Sequence, residues 1–106
     1  MLFRSVASAA MFSSCHVVLT EILPKWGVSV ELVKSDDVEG WKSALSKPTK
    51  AVFIETPSNP MLEITDIKFV SELAHKVGAT VIVDNVMASV VNQKPLQLGE
   101  IGRAHV

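Results

Sequence analysis

Between Ala51 and Pro95 the chain changes its hydrophobic period twice, and that stretch restricts the fold more than any other. Ala51–Ile54 and Thr80–Val83 are short apolar runs rich in β-branched residues, the pattern of buried strands. Between them Ile67, Val70, Leu73, Ala74 and Val77 recur every three or four residues, so Asp66–Val77 reads as an amphipathic helix. Lys68, Glu72 and Lys76 take its other face, and Glu72 and Lys76 are spaced for an i,i+4 ion pair. Asp66 suits the cap of this helix and Gly78 its stop. Strand, helix, strand in that order calls for parallel strands joined by a crossover. Both strands run into polar residues, Glu55–Asn59 and Asp84–Asn85. Sheets of this kind bind ligands beyond the carboxyl ends of their strands, so Asn59 and Asp84 are expected at one crevice.

The residues before Ala51 extend the same alternation. Val6–Ser8 reads as the end of a strand. Met11, Phe12, Cys15, Val18, Leu19, Ile22 and Leu23 then share a helical face as far as Trp26. Ser13 or Ser14 is expected to cap that helix, and Gly27 fits the left-handed position after it. Pro24 makes an irregular last turn the expectation. Val28–Val33 reads as a strand, and a short helix capped by Asp36 or Asp37 runs to Leu45 with Val38, Trp41 and Leu45 inward. After Asp84 the periodicity fades through Met87–Asn92 before a short apolar turn from Gln93 to Gly99. The fold class expected is α/β, a mostly parallel sheet with flanking helices.

Composition narrows the partners. The 106 residues are 48% hydrophobic, more than a disordered chain carries, so a packed core is expected. Ten basic and eleven acidic residues leave a net charge of −1 with no basic run, which argues against nucleic acid and anionic membranes as partners. The single cysteine, Cys15, excludes an internal disulfide and fits a reducing, cytoplasmic setting. Its place on the apolar face predicts a buried, inert thiol. No apolar run approaches the roughly 18 residues of a membrane span.

Asp84 carries two readings. A carboxylate after Val81-Ile82-Val83 is costly unless it meets a cation or donors. It would therefore suit a protonated ring nitrogen such as that of pyridoxal phosphate (PLP). Aspartate also commonly caps a following turn, and spacing alone favours that use. Thr56-Pro57-Ser58-Asn59-Pro60 has the composition of a rigid loop whose two X-Pro bonds leave room for a cis peptide, and such a loop would aim Asn59 in a fixed direction. His75, beside Lys76 within a helix, reads as a surface or packing histidine. No dinucleotide-binding, Walker, zinc-protease or nucleophile-elbow motif is present in the sequence.

E-T-P-S-N-P-x-L-E-I-x-D-I, L-A-H-x-x-G-A, V-D-N and Q-K-P-L-x-L-G occur in that order. Together they resemble the cysteine/methionine-metabolism group of PLP enzymes, and the likeness covers nearly all of Val6–Gly99. V-A-S-A-A-M-F-S-S-C and V-D-N-V are most similar to the O-succinylhomoserine sulfhydrylase branch. The resemblance implies a fragment of the large domain of a fold-type I PLP enzyme, cytoplasmic and, in its parent, a homotetramer. It implies Asp84 against the pyridinium nitrogen, Asn59 on the phenolic oxygen and Phe12 on the ring face, where many members carry tyrosine. Met87 and Ala88-Ser89-Val90 depart from the family's phenylalanine and A-T-P, which leaves the substrate side open. The substrate implied is a small amino acid, an activated homoserine ester that exchanges its acyloxy group for sulfide to give homocysteine. Cystathionine synthesis or γ-elimination is the alternative within the family, and a non-catalytic α/β binding module the alternative outside it.

The ends carry a separate expectation. Leu2-Phe3-Arg4-Ser5 is similar to a translation of CTC TTC CGA TCT, the end of a sequencing adapter. Ile101–Val106 is similar to the same adapter in the opposite sense, ATC GGA AGA GCA CAC GTC. Residues 6–99 are therefore expected to be the gene's own, with 1–5 and 100–106 foreign. The family's lysine, in S-A-T-K, would follow Gly99 by roughly ten residues, and its phosphate loop would precede Val6. No catalytic residue is accordingly assigned within these 106 positions, since covalent attachment of PLP needs that lysine.

Overall fold

The structure, a computed structural model, describes residues 3–59, 61–98 and 102–104, the last three by their backbone. Five strands form one parallel sheet: β1 (Phe3–Ser8), β2 (Val28–Val33), β3 (Ala51–Glu55), β4 (Thr80–Asp84) and β5 (Gly102–Ala104). Their order across the sheet is β2-β1-β3-β4-β5. The first connection steps from β1 to β2, and the next steps back past β1 to β3. That reversal makes the gap between β1 and β3 the topological switch point, where a doubly wound sheet leaves room for a ligand.

Pleating divides the strands cleanly. Val6, Val52 and Val81 stand in register and face one way, as do Ile54 and Val83. Onto them pack α2 (Val38–Ala44) and α3 (Ile67–Lys76), through Trp41, Ala44, Leu45, Ile67, Val70 and Ala74. Asp37 caps α2 by accepting the Gly40 N–H at 2.9 Å, and Asp66 caps α3 by accepting that of Phe69 at 3.1 Å. Gly78 then turns the chain at φ 75°, a conformation open to glycine because it lacks a Cβ. On the opposite face Ala7, Phe53 and Val30 meet the segment that follows β1. That segment is helical throughout but changes its winding: α1 (Ser13–Val17), a π turn over Val18–Ile22 and a 3-10 turn over Leu23–Trp26. Pro24, with no N–H to donate, lies in the last turn, so the irregular ending expected of it is found.

Several expectations need correction. Strand β1 begins at Phe3 and pairs Phe3 to Ser8 with Val28 to Val33, longer than the Val6–Ser8 stub read from sequence. Neither Ser13 nor Ser14 caps α1; Phe12 is the cap residue and makes no side-chain bond to the helix. Val38 stands 49% exposed while Ala44 takes an inward place, because only one side of so short a helix meets the sheet. Val18 and Ile22 are likewise exposed, at 42% and 45%, Val18 at the edge of an open space between this segment and the sheet. No ion pair joins Glu72 to Lys76; the pairs among the described residues are Arg4–Glu31 and Glu39–Lys42. Residues 102–104 lie parallel to Ile82–Asp84, a pairing that bears on their place in the sheet and not on whether they are the gene's own. The expectations for residues 1–2, 99–101 and 105–106 concern positions outside the described residues. After β4 a short α4 (Ser89–Asn92) and a 3-10 turn (Pro95–Leu98) occupy the stretch whose periodicity was weak.

Candidate cofactor site

The carboxyl ends of β3 and β4 carry the polar residues singled out by sequence, and their register sets what can meet. Glu55 pairs with Asp84 across the parallel ladder, so both side chains project from the same face, the one beneath α1. Glu55 is 3% exposed. Its Oε1 accepts the Asn59 N–H at 2.6 Å and its Oε2 accepts the Phe12 N–H at 3.0 Å. One buried carboxylate thus joins the loop after β3 to the start of α1 across the switch point. An oxygen of Glu55, an oxygen of Asp84 and the Cys15 sulfur lie within 4.8 Å of one another.

Asp84 is half-buried. Its Oδ1 accepts the Val86 N–H at 3.1 Å, so the turn-capping use is real. That bond engages one oxygen and leaves the other reading intact. Among the described residues no lysine, arginine or histidine side-chain nitrogen lies within 4.0 Å of a carboxylate oxygen of Glu55 or Asp84. Two neighbouring carboxylates without a cation form a site that favours a positively charged ring edge. The residues present therefore fit the pyridinium side of PLP. Cys15 is only partly buried, not the fully buried thiol expected. Burial, then the charge of Glu55, then that of Asp84 push its pKa up, against a smaller lowering by Ser14; the thiol is held neutral.

The rigid loop is stitched to its surroundings. The Thr56-Pro57 bond is cis. Ser58 accepts the Glu63 N–H at its hydroxyl and donates its own N–H to the Glu63 carbonyl, both at 3.0 Å. Thr56 Oγ1 accepts the Thr65 N–H at 2.9 Å. Gln93 Nε2 donates to the Thr56 carbonyl and to Asn85 Oδ1, each at 2.7 Å, while Asn85 Nδ2 donates to the Gln93 carbonyl at 3.1 Å. Asn85 is 2% exposed, so its amide is fully engaged in tying the segment after β4 to the loop after β3.

The structure thus brings Phe12, Asn59 and Asp84 around one residue, Glu55, with Phe12 44% exposed and Asn59 half-buried. His75 stands exposed on α3, away from this arrangement. Sequence reading passed over Glu55, Asn85 and Gln93. The one signal for Glu55 was its parity: a charged residue that continues the alternation of Ala51 and Phe53 had to project beneath the same helix as they do.

An open parallel α/β sheet with an acidic pair at a strand-end crevice defines a cofactor-binding domain of the doubly wound class. The chain belongs to the Cys/Met metabolism PLP-dependent enzyme family, whose profile matches residues 4–101. It is 53% identical over 96 residues to the O-succinylhomoserine sulfhydrylase of Mycobacterium tuberculosis, which covers 91% of this chain and 24% of that protein. Against the cystathionine gamma-lyase of Bacillus subtilis it is 36% identical over 103 residues, 27% of that protein. The structure superposes on cystathionine gamma synthase from Xanthomonas oryzae pv. oryzae, solved in complex with cystathionine. That match has a TM-score of 0.91 and 35% identity and covers 98% of this chain and 27% of the other. The chain spans about a quarter of the length of these relatives. No helix among the described residues is long and apolar enough to cross a membrane.

Proposed function

We propose that residues 6–99 are part of the PLP-binding large domain of a sulfhydrylase, one that makes homocysteine from an activated homoserine ester and sulfide. The observation that carries the cofactor assignment is the half-buried Asp84, beside a second buried carboxylate and without a cation among the described residues. In this reading Asp84 holds a proton on the ring nitrogen, and its electrostatic preference for that cation is reinforced by the acid next to it. Asn59 donates its carboxamide N–H to the phenolic oxygen. Phe12 covers a ring face; having no hydroxyl, it orients and excludes water but moves no proton. PLP, when bound, supplies an electron-withdrawing ring that stabilises negative charge developing on the substrate.

The 53% identity to an O-succinylhomoserine sulfhydrylase supports replacement by sulfide. The likeness to cystathionine gamma synthase at TM-score 0.91 supports a second reading, with a thiol amino acid as nucleophile at the same site. The test is the full-length protein encoded around these residues, given O-succinylhomoserine with either sulfide or cysteine. Homocysteine formed with sulfide, and little cystathionine formed with cysteine, is the expected result; the reverse preference selects the second reading. In that protein Asp84→Ala is expected to cost at least about 100-fold in kcat, the scale of lost transition-state electrostatics. Unchanged turnover would remove Asp84 from the mechanism.

A further inference from the structure

We propose that Glu55 is the positioning residue of this site: its carboxylate holds the Phe12 and Asn59 segments in place and sets the charge behind Asp84. The inference rests on the reading of Phe12, Asn59 and Asp84 as cofactor contacts. Phe12 lies 43 residues before Glu55 and Asn59 four after it, and each reaches it with its main-chain N–H. An ionised carboxylate suits this because it is an acceptor only, with two oxygens set at a fixed angle. Glutamine offers one acceptor oxygen and turns an NH2 group toward the second amide. Aspartate falls one methylene short of both. The residue is 3% exposed, so water does not compete for these bonds and their geometry is kept. The same carboxylate lies within 4.8 Å of an oxygen of Asp84, and opposite charge close by favours the protonated form of a basic group. Cys15, the third member of the cluster, adds no charge because its thiol is held neutral. Glu55 therefore combines two jobs at the switch point between β1 and β3, that of a brace between two loops and that of a second negative charge beside Asp84, which would favour a protonated ring nitrogen.

The brace is tested on the 106-residue chain without cofactor, by amide hydrogen exchange read by NMR. In the unaltered chain the Phe12 and Asn59 amides should be protected, although their acceptor is a side chain. Exchange of both at the unprotected rate, with Val52 and Val81 still protected, overturns the proposal. In Glu55→Gln one of the two should lose about 10- to 100-fold in protection, the range for a hydrogen bond to a charged group. In Glu55→Ala both should lose it while Val52 and Val81 keep theirs. The charge is tested on the full-length protein with PLP, by following the absorbance of the bound cofactor against pH. Glu55→Gln removes a negative charge, so protonation of the bound cofactor should move to lower pH; an unmoved profile reduces Glu55 to a brace and overturns its electrostatic part. Asp84→Ala is run alongside. If it leaves PLP affinity and the profile untouched, the cofactor reading fails, whereas the exchange result on the uncomplexed chain still decides the brace.

Discussion

The two faces of the sheet are built to different standards of closure. Beneath α2 and α3, thirteen buried residues form one continuous core, eleven from four strands and two helices plus Leu45 and Ala79 just beyond their ends, and Val6, Val52, Ile54, Val70, Ala74, Val81 and Val83 have no exposed surface. Beneath α1 and its π and 3-10 extensions the buried apolar cluster among the described residues is just Ala7, Met11 and Leu19. A cavity of about 480 Å³ stays open there, with Val18, Leu23, Phe53 and Ile82 in its wall. The acidic cluster lies on this second face, at its carboxyl end. One side of the sheet thus supplies cohesion, and the other is less closely covered, with an apolar cavity under the helical segment and the acidic cluster at its carboxyl end.

That comparison is broken most directly by truncating matched residues on the two faces. Ile54→Ala should cost about 2–5 kcal/mol, because a fully buried side chain leaves a cavity that close packing cannot refill. Leu23→Ala, on the open face, should cost about 1 kcal/mol, since its side chain is already partly wet. Urea unfolding of the two variants measures both, and equal losses would mean that the faces are equally packed. A smaller effect checks that packing, not backbone strain, makes the difference. Gly27 at φ 80° and Gly78 at φ 75° close the helical segments of opposite faces, and a Cβ on either would meet nothing within 4 Å. Gly27→Ala and Gly78→Ala should each cost about 1 kcal/mol by strain alone, alike on both sides. The smallest effect is chemical. Burial and the charges of Glu55 and Asp84 raise the Cys15 pKa, so less of it is thiolate near pH 8 than of a free cysteine. Alkylation should be correspondingly slow, and Asp84→Asn should speed it by removing one of the two charges. An unchanged rate would separate Cys15 from the acid pair.

Much of this architecture follows from local spacing. The apolar runs at Ala51–Ile54 and Thr80–Val83 became strands because β-branched residues of that density find their burial in a sheet, and the alternating Val28–Val33 became the edge strand of the same sheet. Asp37, Asp66, Gly27 and Gly78 ended their helices where their own chemistry required. Placing Asn59 and Asp84 at strand ends needed only the polarity change after each run. These are properties of a few consecutive residues, so no knowledge of distant partners was needed to read them.

What distant residues meet was decided by the tertiary structure. The helical period marked Val18, Ile22 and Val38 as inward, yet nothing in the period says how much sheet lies opposite, and all three are more than 40% exposed. β1 extends back to Phe3 because β2 offers it partners along its full length. Glu55 is the clearest case. By sequence it is the polar residue that ends an apolar strand. It becomes the hub of the site once β3 lies beside β1 and β4, with Phe12, Asn59 and Asp84 arriving from three segments. Periodicity specifies the direction in which a side chain points; the order of the strands specifies what it finds there.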